Sequence, residues 1–184
     1  MNIVLFGIKG CGKTTFGKKV AVELKCAFID TDELIEKEYQ LMQKKTLSCR
    51  DIYQEVGPVK FRMIEYEVVQ SLQNVQHSVI AAGGGTMLSI ENAEALSQYG
   101  TIVYLIEDKE TLRKRIFSET ALPAFLDPQD PEVSFERMYE ERDHLYRRLG
   151  AIELNINTMS EEEIVAELVK IAQTEQKQEN QDGK

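Results

Sequence analysis

Residues 7–14, Gly7-Ile8-Lys9-Gly10-Cys11-Gly12-Lys13-Thr14, match the pattern G-x-x-x-x-G-K-[ST] between a strand-like run and a helix-like one. Ahead of the match, NIVLF (2–6) is a short apolar run that reads as a buried strand. Behind it, Phe16, Val20 and Leu24 keep helical spacing. A strand that ends in a glycine-rich turn and feeds a helix gathers backbone N–H groups and the positive helix end around one point. That is a seat for phosphate. Lys13 is placed to reach terminal phosphates and the Thr14 hydroxyl to hold magnesium. Gly10, Cys11, Gly12 and Thr15 belong to the same nucleotide-binding set, with Cys11 open to a second reading as packing filler. The motif implies a nucleotide but not the reaction.

The rest of the chain alternates. CAFI (26–29), SVIAA (78–82), TIVYLI (101–106) and AIELNI (151–156) are further strand candidates. Helices are predicted from Asp32 to Tyr39, from Val59 to Leu72, from Ser89 to Leu96, from Asp108 to Phe117 and from Ser134 to Leu149. Ser160 and Glu163 form a capping box for a closing helix with Ile164, Leu168 and Ile171 on its inner face. Short apolar strands separated by helices imply an α/β fold, a three-layer α/β/α arrangement around a parallel sheet. A chain of 184 residues fits one domain, read as 1–172, and the polar run that follows predicts a disordered tail over 173–184.

Charge narrows the partners. A net charge of -9 argues against broad, sequence-independent binding of nucleic acid, which needs many cations. It leaves room for a small anion held by a few local ones. Cys11, Cys26 and Cys49 have no metal-ligand or redox spacing and read as reduced thiols of a cytoplasmic protein. No apolar run approaches a membrane span, and none reads as an export signal, so no membrane partner is expected.

Ligands of open parallel sheets sit at the carboxyl ends of the strands, so the residues after each strand carry the chemistry. After the second come Asp30 and Asp32. Helix capping accounts for one of them. The sharper reading gives Asp30 a water-mediated contact to magnesium and sets Asp32 against an acceptor hydroxyl. After the third come Gly83-Gly84-Gly85, more glycine than a turn requires, which implies close backbone approach by a ligand. In Ser134–Leu149 the expected inner stripe is Phe135, Met138, Arg142, Leu145 and Leu149, so Arg142 faces inward. A buried guanidinium needs an anion, either an internal carboxylate or a ligand. Arg62 lies three residues before Glu65, which is placed to orient it.

Taken together these residues resemble the shikimate kinases, small P-loop kinases related to the nucleoside monophosphate kinases. The resemblance spans the first strand to about Thr158. It rests on GxxGCGKTT, D-T-D at 30–32, F-R-x-x-E at 61–65, A-G-G-G at 82–85 and R-x-x-L-Y at 142–146. It implies a P-loop kinase fold with a five-stranded parallel sheet, a substrate-binding subdomain near 31–62 and a mobile lid near 112–127. The implied reaction moves the γ-phosphoryl group of ATP to the 3-hydroxyl of shikimate, in a monomer whose partner is that small molecule. Lys13 and Asp32 would be catalytic, with Asp32 orienting or deprotonating the attacking hydroxyl. Thr14 and Asp30 would serve Mg2+. Arg62 and Arg142, with the Gly84 backbone, would hold the substrate carboxylate, and Arg115 would pack on the adenine.

The chain departs from the family pattern in its lid. An R-P-L-L-like motif, whose arginine reaches the phosphates, is replaced by Leu122-Pro123-Ala124-Phe125. No Lys or Arg occurs from Ile116 to Glu136, which leaves Lys9, Arg115 or a cation from a partner chain as replacements. Pro58 stands where a glutamate usually follows glycine, and extra residues fall near 40–47. Three readings stay open: a shikimate kinase with an altered lid, a P-loop kinase of another small hydroxy acid, and a ligand-binding protein that has lost catalysis.

Overall fold

The structure, a computed structural model, describes residues 2–119 and 122–182. Its strands are β1 (Asn2–Phe6), β2 (Ala27–Asp30), β3 (Ser78–Ala81), β4 (Thr101–Ile106) and β5 (Ile152–Asn155). Its helices are α1 (Lys13–Leu24), α2 (Thr31–Gln43), α3 (Cys49–Ser71), α4 (Ile90–Tyr99), α5 (Lys109–Phe117), α6 (Pro131–Arg147) and α7 (Glu161–Asp182). The strands form one five-stranded sheet in the order β2-β3-β1-β4-β5, and each pairing is parallel. Every residue of β1 and of β3 is buried, so helices cover both faces of the sheet. This is the α/β architecture that the alternation of apolar runs predicts. No helix among the described residues is long and apolar enough to cross a membrane.

The main core is built from the strands and the helix faces against them. Phe6, Tyr104 and Tyr146 meet in it with ring centroids 5.3 Å apart in each pair. A second, smaller cluster of Ile35, Tyr39, Ile52, Phe61, Ile64 and Val68 joins α2 to α3. It gives that helix pair a core of its own.

Several boundaries differ from the sequence reading. α3 starts at Cys49, where Ser48 caps it by accepting from the Asp51 N–H, and Gly57 (φ 76°, ψ 168°) breaks it into two limbs. The helix expected from Val59 is the second limb, and Pro58 opens it, a place where its missing N–H costs nothing. α6 starts at Pro131 behind an Asp130 cap rather than at Ser134. Its inner stripe is Phe135, Met138, Arg142 and Tyr146. Leu145, expected inside, is 45% exposed, because the helical period carries the face from 142 to 146. α7 continues to Asp182 through a run rich in Glu, Gln and Lys, which are good helix formers.

Candidate active site

β1, β2 and β3 end at one level, because Leu5 and Asp30 both pair with Ala81. The glycine-rich loop, the Asp30–Asp32 turn and the triple glycine therefore converge. Between them opens a cleft of about 490 Å³ with Lys13, Thr14, Asp30, Asp32, Arg62 and Arg142 in its walls.

The loop half is shaped for phosphate. Gly10 and Gly12 take φ 89° and 93°, a left-handed turn that side-chain-bearing residues rarely adopt. The first turn of α1 has no acidic residue to offset its positive end. Lys13 Nζ folds back to donate to the carbonyls of Gly7 (2.9 Å) and Ile8 (3.3 Å), oxygens it can exchange for those of a phosphate. Thr15 stands in the cleft wall beside it. Cys11 is fully buried in the main core, so its side chain packs while its backbone belongs to the loop.

Thr14 Oγ1 donates to Asp30 Oδ2 at 2.8 Å, and Asp30 Oδ1 accepts from the Asp32 N–H at 3.0 Å. Asp30 therefore caps α2, as the capping reading expects, and holds the Thr14 hydroxyl with its other oxygen. Among the described residues no group of three or more His, Cys, Asp or Glu could hold a metal alone. One hydroxyl and one carboxylate suit Mg2+, which takes its remaining ligands from phosphate and water. Arg115 lies outside the cleft wall, where Nη1 donates to the Gly10 carbonyl (2.7 Å) and pairs with Glu107 (2.9 Å). It buttresses the loop from behind.

The opposite half centres on Asp32. Its carboxylate meets the water of the open cleft yet has protein around it, and its pKa is pushed up to about 6. Desolvation is the first cause and the Asp30 charge the second. Lys13 opposes them, while Glu65 and Glu36 add to the rise. A carboxylate of that basicity is suited to accept a proton from a hydroxyl near neutral pH. Cys49 donates its thiol to the Asp32 carbonyl at 3.2 Å, and burial with the surrounding carboxylates raises its pKa, so it stays a neutral thiol.

The two arginines differ in support. Arg62 Nη1 pairs with Glu65 Oε2 at 2.6 Å, and Glu65 Oε1 accepts from Thr86 Oγ1 at 2.9 Å, which fixes the contact expected from spacing. Arg142 is 7% exposed and donates to the Gly84 carbonyl at 2.7 Å. Its guanidinium lies over the Phe125 ring at 4.5 Å. Among the described residues it has no carboxylate partner. Burial lowers its pKa, the signature of a cation short of counter-charge.

The triple glycine makes room for side chains. A Cβ on Gly83 would lie 2.3 Å from Asp32 Oδ1, and one on Gly85 2.6 Å from Arg62 Nη2. The Gly84 carbonyl accepts from both Arg142 and Tyr146, each at 2.7 Å. Asp32 and Arg62 themselves approach the triple glycine closely.

Sequence reasoning assigned no role to three contributors. Tyr146 shares the inner face of α6 with Arg142, a spacing of four that was legible once Leu145 was set aside. Thr31 accepts from the Gly83 N–H at 2.8 Å and ties the triple glycine to α2. Phe125 gave no signal, because its partner is distant in sequence.

Known proteins agree with this geometry. The family description "Shikimate kinase" matches residues 9–173. A shikimate kinase of Caldanaerobacter subterraneus is 35% identical over 92% of this chain and 94% of its own. That of Alkaliphilus oremlandii is 34% identical over 91% and 96%. Among solved structures, a shikimate kinase from Acinetobacter baumannii in complex with shikimate superposes with a TM-score of 0.83 at 28% identity, covering 95% of this chain and 93% of that one. The chain belongs to the shikimate kinase family.

Proposed function

We propose that this protein is a shikimate kinase, transferring the γ-phosphoryl group of ATP to the 3-hydroxyl of shikimate. The observation that carries the reading is Arg142, a buried guanidinium with no carboxylate partner among the described residues, facing the same cleft as the phosphate loop. A substrate carboxylate supplies the anion it lacks, and Arg62, held by Glu65, meets that carboxylate from the other side. Asp32 accepts the hydroxyl proton as the acceptor oxygen bonds to the γ-phosphorus and the bond to the ADP oxygen breaks. Loop N–H groups and Lys13 stabilise the charge that leaves with ADP. Mg2+, held through Thr14 and Asp30, would neutralise phosphate charge. Arg115 supports the loop and would meet the adenine. The region near 31–62 and a lid near 112–127 would close around the substrates to exclude water. The proposal includes a monomeric, cytoplasmic enzyme with neither nucleic acid nor membrane as partner.

The test is ADP release from Mg-ATP with and without shikimate, alongside detection of shikimate 3-phosphate. Shikimate-dependent release with matching product is expected. Turnover with a different hydroxy acid alone would move the reading to that substrate. Leu122 favours the reading of a binding protein without catalysis, which predicts affinity for both ligands and no turnover.

Two glycine substitutions separate the roles. Gly83→Ala is expected to push the Asp32 carboxylate aside and lower kcat about 10-fold or more. Gly85→Ala displaces the Arg62 guanidinium, so KM for the acceptor rises about 10-fold with a smaller change in kcat. The Gly85 clash is with the end of a flexible side chain, so its Tm should stay within a few degrees, whereas a Cβ on Gly83 also meets the buried Thr86 Oγ1 at 3.0 Å and should cost more. Equal effects of the two variants on kcat and KM would refute the division.

A further inference from the structure

Charge stabilisation at the transferring phosphoryl group needs cations on more than one side. Lys13 supplies one. The segment from Ile116 to Glu136 has no Lys or Arg, although its Pro123, Ala124 and Phe125 form part of the cleft wall. Leu122 packs partly buried against the main core and is not among the cleft-lining residues. The position that the family pattern gives to a cation is here an apolar anchor.

Lys9 lies on the boundary between the two halves of the cleft. A Cβ on Gly84 would sit 3.6 Å from the Lys9 backbone nitrogen, 3.7 Å from Lys9 Cβ and 3.7 Å from Arg142 Nη1. Lys9 and Arg142 therefore face one glycine, Lys9 from the phosphate loop and Arg142 from the acceptor side. The Lys9 side chain lines the cleft, and its Nζ pairs with Glu119 Oε2 at 2.8 Å. Both side chains of that pair are about two-fifths exposed, at 40% and 39%, and such a contact is weak and readily exchanged. Of the other cations in the cleft wall, Arg62 pairs with Glu65, Arg142 donates to the Gly84 carbonyl, and Arg50 stands at the start of α3, away from the phosphate loop in sequence.

We propose that Lys9 is the second phosphate-contacting cation of this kinase, leaving Glu119 for the γ-phosphate when ATP and the acceptor are bound. The inference rests on the phosphotransfer reading above. Its flexible four-carbon stem gives Lys9 the reach to turn from Glu119 into the cleft. Glu119 holds the ammonium in the empty protein and competes with the triphosphate for it.

The test compares wild type with Lys9→Met, Lys9→Arg and Glu119→Gln. Acceptor-dependent ADP release and calorimetric binding of Mg-AMPPNP and Mg-ADP are measured on each. Lys9→Met should lower kcat about 100-fold, keep KM for shikimate within roughly 3-fold and lose about 10-fold in preference for AMPPNP over ADP. Lys9→Arg keeps the charge and should stay within about 5-fold of wild type in both readouts. Glu119→Gln should bind Mg-AMPPNP more tightly with ADP affinity unchanged. Lys9 is partly exposed, so Met is accommodated at that site, and an unchanged Tm checks it. A Lys9→Met protein that keeps the wild-type nucleotide preference overturns the proposal. If wild type shows no shikimate-dependent turnover, the kinase reading fails, and the nucleotide preference still decides the role of Lys9.

Discussion

Asp32→Asn is expected to lower kcat by about 10²–10⁴-fold, the range for loss of a positioned general base, with Mg-AMPPNP affinity changed only a few-fold. The asparagine keeps the shape and the helix start, since the capping carboxylate there belongs to Asp30. What it removes is the proton acceptor. In the wild type, kcat/KM should fall as pH drops through about 6, where Asp32 takes up a proton in the unliganded protein. The stability effect has the opposite sense. The folded pKa lies above the unfolded value, so the folded state takes up its proton first and stability rises as pH falls from about 6 toward 4. Above that window the carboxylate opposes folding. Asp32→Asn should therefore raise Tm at pH 7 to 8, by about 2–4 °C if screening by cleft water leaves roughly 1 kcal/mol. The gain should vanish near pH 4. Undiminished turnover at pH 7 would remove Asp32 from the chemistry.

The fold was legible because its signals are local. Apolar runs such as NIVLF and TIVYLI, each ending in or near a turn, mark strands buried on both faces, and the structure returns both unshifted. The Ser160–Glu163 capping box is also present, with the Ser160 N–H donating to Glu163 at 2.7 Å. Signals that depend on tertiary context failed. Leu145 and Tyr146 are both apolar enough for an inner face, and the helical period from Arg142, the packing on Phe6 and Tyr104 and the Gly84 carbonyl together put the tyrosine inside. The first limb of α3 was missed because Gly57-Pro58 reads as a terminus, whereas the structure uses it as the kink between two helical limbs. In the site, Arg62 and Glu65 could be paired from spacing, since both lie on one helix. The stack of Phe125 on Arg142 joins segments whose contact no pattern in either records. Leu122 shows the same limit. The sequence marks a cation as missing there, and only packing reveals that the leucine serves the core instead.

Arg142→Met should raise KM for shikimate so that kcat/KM falls by roughly 10²–10³-fold, the equivalent of about 3–4 kcal/mol for losing one partner of a buried ion pair. Affinity for Mg-AMPPNP should hold, because among the described residues Arg142 makes its hydrogen bond to the Gly84 carbonyl and none to the phosphate loop. The empty protein should respond in the other direction. Its Arg142 is buried against a carbonyl and an aromatic ring with no carboxylate among the described residues, and burial already lowers its pKa. Methionine fills similar volume without a charge to desolvate, so Tm of the ligand-free variant should equal or exceed that of wild type. Arg142→Lys keeps the charge but loses the planar fork and its stack on Phe125, and should fall between the two in kcat/KM. The paired readout separates the explanations. A guanidinium kept for structure gives a variant that melts earlier and binds shikimate as before. One kept for a substrate carboxylate gives a variant at least as stable that has lost its acceptor, and saturating shikimate should raise Tm of the wild type but not of Arg142→Met.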